Sequence, residues 1–176
     1  MTIELKVANV DLAVTQEGDP IRVQIGASGI NPVGAVKPAA SDFLGIAPTL
    51  RFDSGVESIA GVSVAIPDKA DKSKVVACRV GWAATTNTGD VVWTLRYQWV
   101  SLDTPIDAAE DGSISGTETV NVVTSGYAFT SIEIPAPVEA NRVLRIQIGR
   151  DGDEITDTCA GEVHVVGILF DFVAGP

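Results

Sequence analysis

The sequence predicts an all-β protein built as an antiparallel β-sandwich or barrel, and three observations predict it. Apolar side chains recur at period two in one run after another, which places them on one face of an extended strand. The 17 Gly and 9 Pro are spread along the chain as turn punctuation between those runs. No convincing amphipathic helix is present, since the nearest candidate, Pro105–Asp111, is short and acidic and reads as a loop. A length of 176 residues suits one domain and is enough to bury a sizeable core without disulfide or metal staples, and the 45% apolar content is that of a globular chain.

The N-terminal part opens with Ile3, Leu5 and Val7 alternating with Glu4 and Lys6, a short strand. Leu12–Val14 and Ile21–Ile25 read as two more, separated by Glu17-Gly18-Asp19-Pro20. The stretch from Gly26 to Pro38 holds small residues, Gly and Pro, and buries little on its own. It is read as a linker or as an extended arm lying on a partner. The boundary falls at residue 42: residues 1–42 form an N-terminal arm for attachment or oligomerisation, and residues 43–176 form the sandwich.

Within the sandwich, Ile59–Ile66 is a strand closed by Pro67-Asp68. In Lys74–Trp82 the residues Val76, Cys78, Val80 and Trp82 share one face. After the turn formers Thr85–Asp90, Trp93, Leu95, Tyr97 and Trp99 alternate with Thr94, Arg96 and Gln98. Those two runs are expected to pair as a hairpin. Thr117–Val123, Tyr127–Ile134 and Arg142–Ile148 follow as strands. In the last run, Gly161–Val173, Val166, Ile168, Phe170 and Phe172 take one side, and Val163, Val165, Leu169 and Val173 the other. A strand apolar on both faces is expected to be central or covered by another subunit. About seven strands at this spacing make a sandwich or barrel, with the aromatic face of Trp93–Trp99 in its core.

Charge narrows the function. Asp and Glu number 23 against 12 Lys and Arg, a formal charge of −11. Such a chain repels phosphate backbones and anionic bilayers, so neither nucleic acid nor membrane is expected as a partner. Met1-Thr2-Ile3-Glu4-Leu5-Lys6 places charge where a secretory signal needs an apolar run, and synthesis in a cytoplasm is expected. Cys78 and Cys159 are expected as unpaired thiols, Cys78 as a core residue and Cys159 beside acidic groups that disfavour a thiolate.

No residue set reads as catalytic, cofactor-binding or metal-ligating. The cluster Asp151, Asp153, Glu154, Asp157 and Thr158 offers oxygen ligands, but not at the spacing of a helix–loop–helix calcium loop, and reads as an exposed turn. Asp157 and Thr158 are expected to cap it through backbone amides. His164 is the only histidine, so a triad or a zinc site would have to use it; its apolar strand makes it a core or interface residue. Asp103, Asp107, Glu110 and Asp111 contain no evident glycosidase pair and read as a solvated cluster. Gly26-Ala27-Ser28-Gly29 lacks the Lys of a phosphate cradle. An enzyme is not expected.

Val80-Gly81-Trp82 with Thr88–Tyr97, and Leu144–Asp151 with Asp157-Thr158 and the final apolar strand, resemble a domain of tailed-bacteriophage virion proteins. The resemblance covers roughly residues 43–173. It implies a jelly-roll sandwich and a structural virion protein, first of all a capsid decoration (cement) protein bound to the head surface. A tail or head-fibre component is the alternative. No catalytic residue comes with it. It also implies location on the virion, contact with the major capsid protein or another virion protein, and a homotrimer, which would cover the final strand. A rival of another class is a carbohydrate-binding module, since jelly rolls bind sugars and the chain has three Trp. That rival requires Trp to be exposed.

Overall fold

A computed structural model of the chain describes residues 3–7, 10–14, 20–43, 47–101, 103–105, 108–120, 127–137 and 143–175. The architecture is all-β, an antiparallel sandwich of jelly-roll type. Its strands are β1 (Ile3–Val7), β2 (Val10–Val14), β3 (Ile21–Gly26), β4 (Asn31–Val33), β5 (Ala39–Phe43), β6 (Ala47–Phe52) and β7 (Glu57–Ala65). They continue with β8 (Val76–Ala84), β9 (Asp90–Val100), β10 (Gly112–Thr119), β11 (Tyr127–Ile134), β12 (Val143–Asp151) and β13 (Val163–Phe172). One 3-10 turn, Ala27–Gly29, links β3 to β4.

The smaller sheet runs β10-β9-β12-β7-β4. In the larger sheet β13 is the hub. One of its edges pairs with β8, which pairs in turn with β11. Its other edge is shared: β6 takes Val163–Val165 and β3 takes Gly167–Phe172. β5 then extends β6, and the β2–β1 hairpin extends β3.

The core lies between the sheets, because each strand turns its apolar set inward. Val76, Cys78, Val80 and Trp82 of β8 face Trp93, Leu95 and Trp99 of β9, all buried, with Tyr97 packed at the margin. Trp93 meets Phe52 edge-on at 5.7 Å and lies 6.0 Å from Trp82, so its indole bridges the two sheets. Trp82 Nε1 donates to Thr130 Oγ1 at 2.9 Å and Trp99 Nε1 to the Pro135 carbonyl at 3.2 Å.

Four expectations are corrected. The two tryptophan-bearing runs do not form a hairpin: β8 belongs to the larger sheet and β9 to the smaller. The turn between them carries the chain across the sandwich, helped by Gly89 at φ +97°. There a Cβ would lie 2.5 Å from the Thr158 carbonyl oxygen, so both conformation and space require glycine.

The final strand does not have two apolar faces. The pairing of β13 with β8 steps from Val165↔Trp82 to Gly167↔Gly81, leaving Val166 as an extra residue in a β-bulge. The bulge changes the parity of the strand. Val163 and Val165 therefore share the core side with Ile168, Phe170 and Phe172, while His164, Val166, Leu169 and Asp171 lie on the other. The need for a covering subunit loses this premise. Among the residues whose burial is described, what remains apolar on that outer face around β13 is Val166, Leu169 and the neighbouring Phe129, which is 63% exposed.

The boundary at residue 42 also moves. Ile21, Val23 and Ile25 of β3, with Ala27 and Ile30, are core residues, and β4 pairs with β7. Residues 21–33 thus belong to both sheets. Their period-two triplet Ile21, Val23, Ile25 buries enough surface, at about 1.5–3 kcal/mol per large side chain, to hold them there. The strand expected over Thr117–Val123 begins earlier, at Gly112, and residues 121–123 lie outside the described residues.

Candidate functional site

The outer face of the smaller sheet carries polar side chains in two cross-strand rows. Gln98 of β9 stands opposite Arg145 of β12, which stands opposite Ser63 of β7. One step along, Arg96 stands opposite Gln147, Gln147 opposite Gly61, and Gly61 opposite Asn31 of β4. The rows arise because Arg-x-Gln occurs twice, at Arg96–Gln98 and Arg145–Gln147, on adjacent antiparallel strands. Antiparallel register then sets each Arg beside the other strand's Gln.

These rows floor a groove of about 620 Å³. Ala108 and Glu110 of the loop before β10 form part of its lining, and Gly29 and Asn31 another part. Gly61 leaves the middle of the floor without a side chain. Gln98 ties the loop down, its Nε2 donating to the Ala108 and Ala109 carbonyls at 2.8 and 3.0 Å. Its Oε1 is left to accept from Arg145 Nη1 at 3.4 Å. Arg96 is held by Glu57 at 3.3 Å and Glu110 at 3.9 Å. Arg145 has no carboxylate partner among the described residues.

The residues weighed from sequence go elsewhere, apart from Glu110. Asp111 accepts from the Trp99 backbone amide, Asp103 is exposed, and Asp107 lies outside the described residues. His164 is buried on the outer side of β13, with Nδ1 3.3 Å from Thr49 Oγ1 and Nε2 3.6 Å from Glu162. Burial pushes its pKa down, Glu162 opposes that and Arg51 adds to it. Cys78 and Cys159 are buried free thiols, and burial pushes Cys78 up. All three tryptophans are buried, so none forms a stacking platform on the surface. Gly26 ends β3, and the residues after it form the 3-10 turn.

In the Asp151–Thr158 loop the acidic residues separate into two roles. Asp151 is half-buried. Its carboxyl is pushed up by burial first, then by hydrogen bonding to Asp153 and repulsion from Asp153, Glu57 and Glu154. The Asp157 side chain is fully buried and meets that of Arg150, also fully buried, through two contacts: Nε to Oδ2 at 3.0 Å and Nη2 to Oδ1 at 2.7 Å. Arg150 also donates to the carbonyls of Gly161 at 2.7 Å, Phe52 at 3.4 Å and Cys159. Asp157 Oδ2 accepts from the Val92 amide at 3.0 Å, and Thr158 Oγ1 from the Asp90 amide at 2.9 Å. Asp157 and Thr158 do accept from backbone amides, but these belong to β9, so the two residues tie the loop to a strand instead of capping their own turn, and Arg150 lies at the centre of the arrangement. In sequence it stands just past the strand expected over Arg142–Ile148, and only the tertiary meeting of β12, β6 and the loop gives it an oxygen cage.

No protein-family model and no curated protein matches the sequence. Solved structures do match in fold. The CBM22-1 xylan-binding domain of Xyn10C from Paenibacillus barcinonensis superposes with a TM-score of 0.53 at 12% identity, over 93% of this chain and 100% of that one. A family 6 carbohydrate-binding module gives 0.50 at 12% identity, over 85% and 92%. An arabinose-bound α-L-arabinofuranosidase gives 0.50 at 10% identity over 82% of this chain, which spans only 23% of that enzyme. At these identities the likeness is one of fold, and the chain shares the jelly-roll sandwich of carbohydrate-binding modules.

Proposed function

We propose that the protein is a carbohydrate-binding module that holds a polysaccharide segment across the outer face of its smaller sheet. The observation that carries this reading is the groove of about 620 Å³ floored by two cross-strand rows of amide, guanidinium and hydroxyl groups. Sugars present dense hydroxyls, and a pre-formed concave surface with convergent donors and acceptors suits them. The shared fold supports the reading without deciding it, since one fold hosts many functions. With its tryptophans in the core, the protein would grip by hydrogen bonding more than by stacking. Asn31 and Gln147 would contact sugar hydroxyls at the groove floor, and Gln98 would position the loop carrying Glu110. The test is affinity electrophoresis and calorimetry against a panel of plant and bacterial polysaccharides. Binding to at least one, lost in Gln147→Ala and Asn31→Ala variants of unchanged melting temperature, is expected. Absence of binding to the whole panel removes the reading.

A second proposal concerns place: attachment to the surface of a tailed-phage particle as a decoration protein. It is favoured by the runs Thr88–Tyr97 and Leu144–Asp151, which resemble the phage domain and contribute the neighbouring strands β9 and β12. Purified particles that contain the protein would support it, and particles that lack it would remove it without touching the groove. On this reading the protein is a homotrimer, and light scattering showing a monomer at micromolar concentration removes the free trimer.

A further inference from the structure

We infer that the groove selects acidic polysaccharides, binding a sugar carboxylate of the uronic acid type through Arg145. The inference rests on the carbohydrate reading above and adds the chemical class of the sugar.

Within the groove the charges are unequal. Arg96 is matched by Glu57 and Glu110. Among the described residues, Arg145, half-buried in the middle strand of the sheet, meets only the neutral Gln98. Gln98 is itself fixed, because both its amide hydrogens are taken by the Ala108 and Ala109 carbonyls. Its carbonyl oxygen therefore faces Arg145 and uses one of the five guanidinium N–H groups, leaving the others for a ligand. A guanidinium held on one side and open on the other is pre-organised for a carboxylate, which it takes through two parallel hydrogen bonds.

The setting sharpens the contrast. The whole chain carries −11, so an acidic polymer is repelled by most of the surface. An unmatched cation in the groove would confine acceptance to one site and one register. Ser63, opposite Arg145 on β7, and Gln147, one row away, supply neutral partners for the hydroxyls that flank the carboxylate.

The test compares oligomers of polygalacturonate, alginate and glucuronoxylan with the same oligomers after carboxyl reduction, using calorimetry on the full chain. At least one acidic oligomer should bind about tenfold or more tightly than its reduced form, the usual worth of a charged hydrogen-bonded contact. Arg145→Gln should bring the acidic oligomer to the level of the reduced one and leave the melting temperature unchanged. Added salt should weaken only the acidic form. Equal binding of acidic and reduced oligomers overturns the inference while the carbohydrate reading stands. So does an acid preference that survives Arg145→Gln. Failure of every oligomer, acidic or neutral, overturns both.

Discussion

Arg150 Nη2 lies 2.7 Å from Asp157 Oδ1, and neither side chain reaches solvent. The pair closes one end of the sandwich: Arg150, next to last in its strand of the smaller sheet, reaches the Phe52 carbonyl of the larger sheet and fixes the loop to Gly161. Removing either partner strands a buried charge. Asp157→Ala and Arg150→Met are each expected to cost about 3–5 kcal/mol of unfolding free energy. Arg150→Lys should recover little, since an ammonium cannot serve the same fork of oxygens. Urea denaturation measures all three, and a loss below about 1 kcal/mol would contradict the anchoring role.

Chelation provides a complementary prediction. Asp157 and the carbonyls of Phe52, Cys159 and Gly161 are occupied by the Arg150 guanidinium. The melting temperature is therefore expected to be the same with and without EDTA. A fall that added Ca²⁺ restores would assign a structural ion to the remaining acidic residues of that loop.

Trp93 joins the sheets through Phe52 and Trp82. Trp93→Ala should cost about 3–5 kcal/mol. Trp93→Phe should cost clearly less, because it keeps an aromatic ring in the core and removes an indole N–H that is buried without a partner among the described residues. Thermal denaturation compares the two, and an unchanged melting temperature in Trp93→Ala would place the indole outside the core.

Much of this core was legible in the sequence. Period-two runs identified β7, β8, β9, β11, β12 and β13, and the buried tryptophans followed from them. Sheet membership was not legible, because β8 and β9 are close in sequence and equally apolar, and only tertiary packing sends them to opposite sheets. β6 was missed since Ala-Pro-Thr-Leu-Arg-Phe offers only two large apolar residues, Leu50 and Phe52. The groove was half visible. Arg96 and Gln98 stood out as a polar face, yet a strand's polar face is ordinarily just solvated. The repeated Arg-x-Gln at Arg145–Gln147 was the signal that could have found it, once the register was known.

Gly61 tests the groove without removing any polar side chain. Its backbone needs no glycine, and a Cβ there meets Val33 and the Ile146 carbonyl at ordinary distances of 3.5 and 3.6 Å. Gly61→Leu is expected to fold with a melting temperature within a few degrees of wild type while reducing polysaccharide affinity at least about tenfold, a loss of about 1.4 kcal/mol of binding. Calorimetry decides, and full affinity in this variant would place the ligand elsewhere.

His164 makes stability depend on pH. Burial holds its folded pKa below the ordinary 6.5, with Glu162 opposing and Arg51 reinforcing the shift. The unfolded chain therefore takes up a proton before the folded one does. Stability is complete above pH 6.5 and declines as pH falls below it, toward the lowered folded value. Melting temperatures recorded from about pH 7 to about pH 5 should fall in wild type and fall less in His164→Gln. Parallel curves would show that the histidine does not contribute.

The extra residue at Val166 also divides labour along one strand edge. Before it β13 is bonded to β6, and after it to β3. Gly167 sits at the handover, where a Cβ would come within 2.8 Å of the Ile25 carbonyl. The larger sheet is thus a trunk of β13 and β8 with two limbs grafted to the same side, one ending in β5 and the other in β1. Each limb holds its own stretch of backbone hydrogen bonds, so one can loosen while the other keeps its amides shielded. Amide exchange is therefore expected to protect the two ladders to different extents, even though both limbs send apolar side chains into the one core.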